Sequence, residues 1–287
     1  MSDFLCKIWK VKHGSAAFIV APNKKTIMLD CGSSPDFSPA EHLSKQYKVS
    51  KLDNIVISHP HADHISDLPT VISKLSPRTR TKNPHTPNSL VFPKGTEDLS
   101  EPHKSWHNMN LKFTKTTSVS NKLAIPSNFG GLAFKTFRCK KAQLPKSAQD
   151  NLNNYSLVTV VRYKHTEIIF PGDLEPLGWE ALFKHSDLAA NVGKSKYKVL
   201  VAPHHGRKSG IRYSDDSLYK GFMEALEPNL VIISDKWGSE TTAPEDYRPL
   251  VHDGLIVDGE IKKVLTTKTV KCVSIKCDDK KLTIKTS

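Results

Sequence analysis

Ser58-His59-Pro60-His61-Ala62-Asp63-His64 follows the apolar run Ile55-Val56-Ile57 and precedes Ile65-Ser66-Asp67-Leu68. Three imidazoles and a carboxylate fall within six residues, at the end of what reads as a buried strand. Imidazole nitrogen and carboxylate oxygen are the donors that Zn²⁺, Mn²⁺ and Fe²⁺ accept. A strand end holds such donors on a rigid base, and the loop after it lets them converge. The spacing His-x-His-x-Asp-His therefore predicts a divalent-metal site; the plainer alternative is a polar turn whose histidines face water.

Working outward, Leu5–Lys12, Ala16–Val20 and Thr26–Asp30 read as a three-stranded meander, with His13-Gly14 and the Pro22–Lys25 stretch as turns. Asp30 ends the third strand, where its carboxylate is placed to fix a neighbouring loop through backbone hydrogen bonds. Ser38-Pro39-Ala40-Glu41 carries a helix-start signature and predicts a helix to about Tyr47. Leu68, Val71, Ile72 and Leu75 predict another from Asp67. From Ser76 to Lys122 prolines alternate with arginines and lysines, which predicts a long basic insertion, at about 76–122, with little regular structure. Its Trp106 either stacks a nucleobase or anchors the insertion on the core.

Beyond the insertion, Leu132–Arg138 reads as a strand and Ser156–Tyr163 with Glu167–Phe170 as a hairpin. Asp173 lies just past that hairpin, and Pro176–Phe183 reads as a helix. The buried strand Lys198–Ala202 ends in Pro203-His204-His205-Gly206. A helix over Leu218–Leu226, a strand over Leu230–Ser234 and two strands within Lys263–Ile284 complete the reading. Metal-type donors thus stand at three strand ends: His59, His61, Asp63 and His64; Asp173; and His204 with His205.

This ordered set resembles the metallo-β-lactamase fold superfamily, and within it the ComEC-like branch, a hydrolase domain associated with DNA uptake. Gly172-Asp173-Leu174-Glu175, His204-His205-Gly206 and Asn153-Asn154-Tyr155-Ser156-Leu157 carry the resemblance. It implies an α/β fold, a four-layer αβ/βα sandwich of mostly antiparallel or mixed sheets, formed by a single domain over residues 1–287. It also implies two divalent metal ions, Zn or Mn. His59 and His61 hold one, Asp63, His64 and His205 the other, and Asp173 bridges; Asp30 orients the histidine loop. The sequence does not fix which of His204 and His205 binds metal; His205 is the expected ligand, with His204 either supporting it or contacting phosphate. Two departures stand out. Where many members carry a further histidine, this chain has Asn153, Asn154 and Ser156, and Trp237–Pro244 lacks a histidine that the branch tends to have there.

Such a centre implies hydrolysis by attack of a metal-bound hydroxide, with Asp63 orienting the nucleophile and His204 stabilising charge or protonating the leaving oxygen. The formal net charge of +13 and pI near 9.4 favour a polyanion, nucleic acid first. A phosphodiesterase or nuclease acting on DNA, or RNA, is the leading expectation. Arg207, Lys208 and Asn154 are its candidate substrate contacts. A small-molecule phosphodiesterase, for a cyclic nucleotide or phosphocholine-type ester, and a metal-poor binding or sensor module are the alternatives. The five scattered cysteines and the lack of a signal-like start or a membrane-length apolar run predict a cytoplasmic protein with no membrane partner.

Overall fold

The structure is a computed structural model and describes residues 3–81, 100–112, 129–235 and 242–287. The strands are β1 (Phe4–Trp9), β2 (Ala16–Val20), β3 (Thr26–Cys31), β4 (Asn54–Val56), β5 (Thr79–Thr81), β6 (Ala133–Phe137), β7 (Val158–Tyr163), β8 (Thr166–Phe170) and β9 (Tyr197–Val201). They continue as β10 (Arg212–Ser214), β11 (Ser217–Leu218), β12 (Leu230–Ile233), β13 (Leu255–Val257), β14 (Glu260–Lys262), β15 (Val264–Thr266), β16 (Cys272–Cys277) and β17 (Leu282–Thr286). Among the described residues they form a nine-stranded sheet, β14-β13-β17-β16-β1-β2-β3-β4-β5, and a six-stranded sheet, β15-β12-β9-β8-β7-β6, with β10-β11 as a separate ribbon. Both large sheets are mixed. β1, β2 and β3 pair antiparallel and β3, β4 and β5 parallel; β6, β7 and β8 pair antiparallel and β8, β9 and β12 parallel.

The helices are α1 (Pro39–Gln46), α2 (Ala62–Ile65), α3 (Leu68–Leu75), α4 (His103–Lys112), α5 (Pro176–His185), α6 (Leu188–Asn191), α7 (Lys208–Ile211), α8 (Gly221–Leu226) and α9 (Pro244–Tyr247). Successive residues of a strand face opposite ways. In β3, Ile27 and Leu29 enter one apolar cluster and Met28 another; in β9, Val199 and Val201 enter that same first cluster and Leu200 a third. The first cluster, with Phe4, Ile19, Ile168 and Ile232, fills the space between the sheets. The second packs the far face of the nine-stranded sheet on Leu43, Leu68 and Val71 of α1 and α3. The third packs the far face of the six-stranded sheet on Trp179, Leu182, Phe222 and Met223 of α5 and α8. Helix, sheet, sheet and helix give the four-layer αβ/βα sandwich that the resemblance implies.

Local signals act as expected at α1, where Ser38 Oγ accepts the Glu41 N–H at 3.1 Å and Pro39 opens the helix. Buried Asp67 then ties α1 to the chain after the histidine loop, accepting from Ala40 N and Ser38 Oγ, both at 2.8 Å. Three readings need correction. Ser217–Leu218 pairs with Arg212–Ser214, so the helix expected from Leu218 begins at Gly221. The two strands expected in Lys263–Ile284 are β16 and β17, but the stretch also holds β15, which joins the opposite sheet. The basic stretch 76–122 lies largely outside the described residues, yet its described parts include β5 and α4. Trp106 on α4 is 6% exposed and sits in the second cluster, which makes it an anchor rather than an open stacking platform. Among the described residues no helix is long and apolar enough to cross a membrane, and all five cysteines are buried and form no disulfide.

Candidate metal centre

Parallel pairing of β3 with β4, and of β8 with β9, brings the loops that follow these strands to one edge of the sandwich. On the nine-stranded sheet, Asp30 of β3 adopts a φ of +53° and turns its carboxylate beneath the histidine loop. Ser58 N–H donates to Asp30 Oδ1 at 2.6 Å and Ser58 Oγ to Oδ2 at 2.7 Å. His64 Nδ1 lies 2.8 Å from Oδ2, which directs its Nε2 inward. The single turn α2 carries Asp63 and His64 on consecutive positions, while His59 Nε2 and His61 Nδ1 meet 2.9 Å apart just before it.

On the six-stranded sheet, Asp173 follows β8 after Gly172, whose φ of +59° suits glycine and whose added Cβ would stand 2.7 Å from Ser58 Cβ. Asp173 N–H donates to Ser156 Oγ at 3.1 Å, so the carboxylate is free to face the histidines. His205, after β9, places Nε2 3.1 Å from Asp63 Oδ2, 3.4 Å from Asp173 Oδ2 and 3.2 Å from His64 Nε2. The backbone bears three successive positive φ values at His204, His205 and Gly206: 49°, 56° and 76°.

Two convergent donor groups result, Asp63, His64, Asp173 and His205 in one and His59, His61 and Asp173 in the other. Asp173 belongs to both. Its Oδ1 is buried without a well-directed hydrogen bond, although His64 Nε2 is 3.0 Å away. Burial alone would raise the Asp173 carboxyl, but His205, His64 and His59 outweigh it and hold it well below the usual carboxylate range. Against its own burial, His64 is raised by Asp173 and Asp30, and His205 is raised to about 9 by Asp173 and Asp63. His59, by contrast, is lowered by burial and by His64, and His61 by burial. The carboxylates thus draw positive charge between the rings, and mixed imidazole and carboxylate donors around one shared oxygen pair suit divalent cations.

The family model of the metallo-beta-lactamase superfamily matches residues 11–206, a span that holds every one of these donors. The chain belongs to the metallo-beta-lactamase superfamily. Metallo-beta-lactamase superfamily proteins are metal-dependent hydrolases, typically with two metal ions. The chain is 32% identical over 91 residues to Endoribonuclease YSH1 of Gibberella zeae, a match covering 31% of this chain and 11% of that one. It is 30% identical over 102 residues to Ribonuclease Z of Bacteroides thetaiotaomicron, covering 36% and 30%. The matched stretches therefore span about a tenth of the first relative and under a third of the second. Among solved structures it is similar to a diphosphatase from the PhnP family, 11% identical with a TM-score of 0.49, over 95% of this chain and 98% of that chain.

Within this superfamily member, His204 stands beside the donors without joining either group, its Nε2 3.7 Å from Asp173 Oδ2. Arg207 comes to the rim, with Nη2 2.7 Å from His13 Nε2, and Lys208 is exposed on the next turn. Asn154 departs from expectation. It is 2% exposed, with its Nδ2 donating to the Ala148 carbonyl at 3.3 Å and its Oδ1 against Gly178 of α5, so it is buried away from the rim. Within the stretch Asn153–Ser156, where many members carry a further histidine, Ser156 places its Oγ 3.2 Å from His59 Nδ1. His165 lies away from the centre against Cys277 and Tyr197, and His103 and His107 on α4 join neither group. His85 and most of Trp237–Pro244 fall outside the described residues.

Two residues to which the sequence reading gave no role at the centre adjoin it. His13, read as part of a turn, packs its ring 4.9 Å from that of His205, with Nε2 3.9 Å from Asp63 Oδ2. Burial, His205 and Arg207 lower it to about 4, which keeps the ring neutral. Glu175, the acid of the Gly172-Asp173-Leu174-Glu175 motif, precedes α5, and its carboxylate accepts from Asn151 at 2.7 Å and Asn153 at 2.9 Å and meets His204 Nδ1 at 3.2 Å. A lone histidine in a turn carries no spacing pattern that would have revealed His13, whereas for Glu175 the signal was its place in the Gly172-Asp173-Leu174-Glu175 motif.

Proposed function

We propose that the chain is a dinuclear-metal-dependent phosphodiesterase acting on nucleic acid, within the ComEC-like branch and working in the cytoplasm as one domain with a basic insertion. The observation that carries this reading is the sharing of Asp173 between two donor groups, an arrangement suited to a pair of ions a few ångströms apart. His59 and His61 would hold one ion and Asp63, His64 and His205 the other. Bound there, divalent cations supply Lewis acidity toward a phosphoryl oxygen and bring the ionisation of water near neutrality. Asp63 is the exposed member of its group, its side chain 25% exposed, so it faces incoming water and substrate and orients the nucleophile. Arg207 brings a permanent cation to the same rim and Lys208 a second one beside it, where a phosphate diester would pass.

The net charge of +13 favours a polymer over a small ester, because binding a polyanion gains from counterion release. The names of both curated relatives specify ribonucleases, which makes RNA the first polymer to try. The test is cleavage of single-stranded RNA, single-stranded DNA and a bis-aryl phosphodiester with Mn²⁺ or Zn²⁺. The expected result is salt-sensitive cleavage of nucleic acid that is lost in Asp63→Ala and His205→Ala. Turnover of the small ester alone, insensitive to salt, would move the function to small phosphodiesters. Fewer than one metal per chain with no turnover would leave a binding module.

A further inference from the structure

A second concavity opens at the edge of the sandwich that carries the metal donors. β1 and β3 run the same way, because each pairs antiparallel with β2. Both therefore end at that edge, and β16, antiparallel to β1, begins there. A cavity of about 560 Å³ lies between the end of β1, the loop after β3, α1 and the start of β16, with Ser287 beyond β17 closing it. Its size falls within the roughly 300–1,000 Å³ of small-ligand sites.

Aromatic rings form one wall. The Trp9 ring lies 6.2 Å from that of Phe37, and the Phe37 ring 5.3 Å from that of His42. Trp9 is 2% exposed and backs the wall, whereas Phe37 and His42 are half-buried and present surface to the cavity. Lys10, Lys12 and Lys271 line the other side. Lys12 pairs with Asp36 at 2.6 Å, and among the described residues three ammonium groups stand there against that one side-chain carboxylate.

The loops that wall the cavity also build the metal centre. Lys12 faces the cavity, while the next residues of its loop turn to the donors: His13 packs on His205 and Ser15 N–H donates to the Asp63 carbonyl at 3.2 Å. A row of cations then joins the two places by direct contact. Arg207 at the rim pairs through its backbone with Thr242, whose Oγ1 accepts from Lys268 Nζ at 3.0 Å. The Lys268 carbonyl accepts from Lys10 Nζ at 2.7 Å, and Lys10 N–H donates to the Lys271 carbonyl at 2.8 Å. An ammonium has three donors, so Lys10 keeps two for a phosphate. Cations that track a backbone toward rings on which a base can lie are the elements that hold single-stranded nucleic acid.

We propose that this cavity is a subsite for one nucleotide of a single-stranded substrate, its base against Phe37 and His42 and its phosphate on Lys10 and Lys271, with the strand running past Lys268 to the Arg207 rim. This inference rests on the nucleic-acid reading.

The test is binding of a cleavage-resistant phosphorothioate single-stranded RNA to the Mn²⁺-loaded full chain, read by fluorescence anisotropy over a range of salt. Circular dichroism verifies folding of each variant. Lys10→Ala/Lys271→Ala should weaken binding about tenfold and reduce the slope of log affinity against log salt by about 1.4, the loss of two phosphate contacts. Lys280→Ala/Lys281→Ala removes equal charge from the turn at the far end of β16 and should leave affinity and slope as they are. The same RNA carrying 5-iodouridine should photo-crosslink to Phe37 or His42, mapped by mass spectrometry of the digested chain. RNA binding that falls equally in both double variants, or crosslinks that avoid Phe37 and His42, overturn the inference alone. No salt-sensitive RNA binding by wild type overturns the nucleic-acid reading and the inference with it.

Discussion

Asp30 Oδ2 lies 2.8 Å from His64 Nδ1, while the other oxygen of the same carboxylate accepts the Ser58 N–H at 2.6 Å. One side chain thus sets the orientation of an inner imidazole and the path of the loop that begins at Ser58. Asp30→Asn keeps shape and tolerates the same left-handed backbone, so it isolates the charge. Metal affinity at the His64 site is expected to fall by about 10–100-fold. Chelator competition measures it, and an unaltered affinity would remove Asp30 from the site.

Asp173→Ala removes the one donor common to both groups. Both metals should weaken in this variant, whereas His61→Ala should weaken only one. Elemental analysis after equilibrium dialysis against Mn²⁺ or Zn²⁺ distinguishes them. The same pattern of loss in both variants would contradict a shared carboxylate.

Gly32 approaches the Asp63 carbonyl so closely that a Cβ would stand 2.1 Å from its oxygen and 2.9 Å from the Ser15 oxygen. Both obstacles are backbone, so Gly32→Ala must displace α2 and with it Asp63. The expected cost is about 1–3 kcal/mol of stability, together with loss of turnover. Thermal melts and kinetics on the same preparation check this; full activity with an unshifted Tm would show that the loop yields freely.

Trp106 holds α4 against the helices that flank the histidine loop. Trp106→Ala is expected to destabilise the chain by about 3–5 kcal/mol, the usual range for emptying a buried aromatic site. If Trp106 instead served to stack a base, the variant would keep its Tm and lose affinity for single-stranded RNA. Denaturant unfolding beside a binding titration separates the two.

Much of this architecture was legible because it was written locally. The His-x-His-x-Asp-His spacing, the strand-end Asp173 and the Ser38-Pro39 helix start each carry their signal within a few residues. The strands β3, β8, β9 and β12 were readable as apolar runs, since both of their faces are buried. What escaped reading depends on distant pairing. The short strands β13 and β14 exist because one pairs with β17 and the other closes a hairpin. Leu218 joins β11 because Arg212 lies opposite it. His13 meets His205 only when turns from opposite sheets are brought to one edge, and Asn154 is disqualified as a contact only by packing beneath α5.

The residues from 59 to 64 hang from the nine-stranded sheet, whereas Asp173, His204 and His205 hang from the six-stranded one. Any ion gripped by both sets is consequently a cross-link between the two halves of the sandwich, made without a disulfide. The sheets cannot part at that edge until the ions leave. Amide exchange in β4 and β9 should therefore slow together when metal is added and quicken together when it is withdrawn, while the opposite edge of the sandwich keeps its own pace.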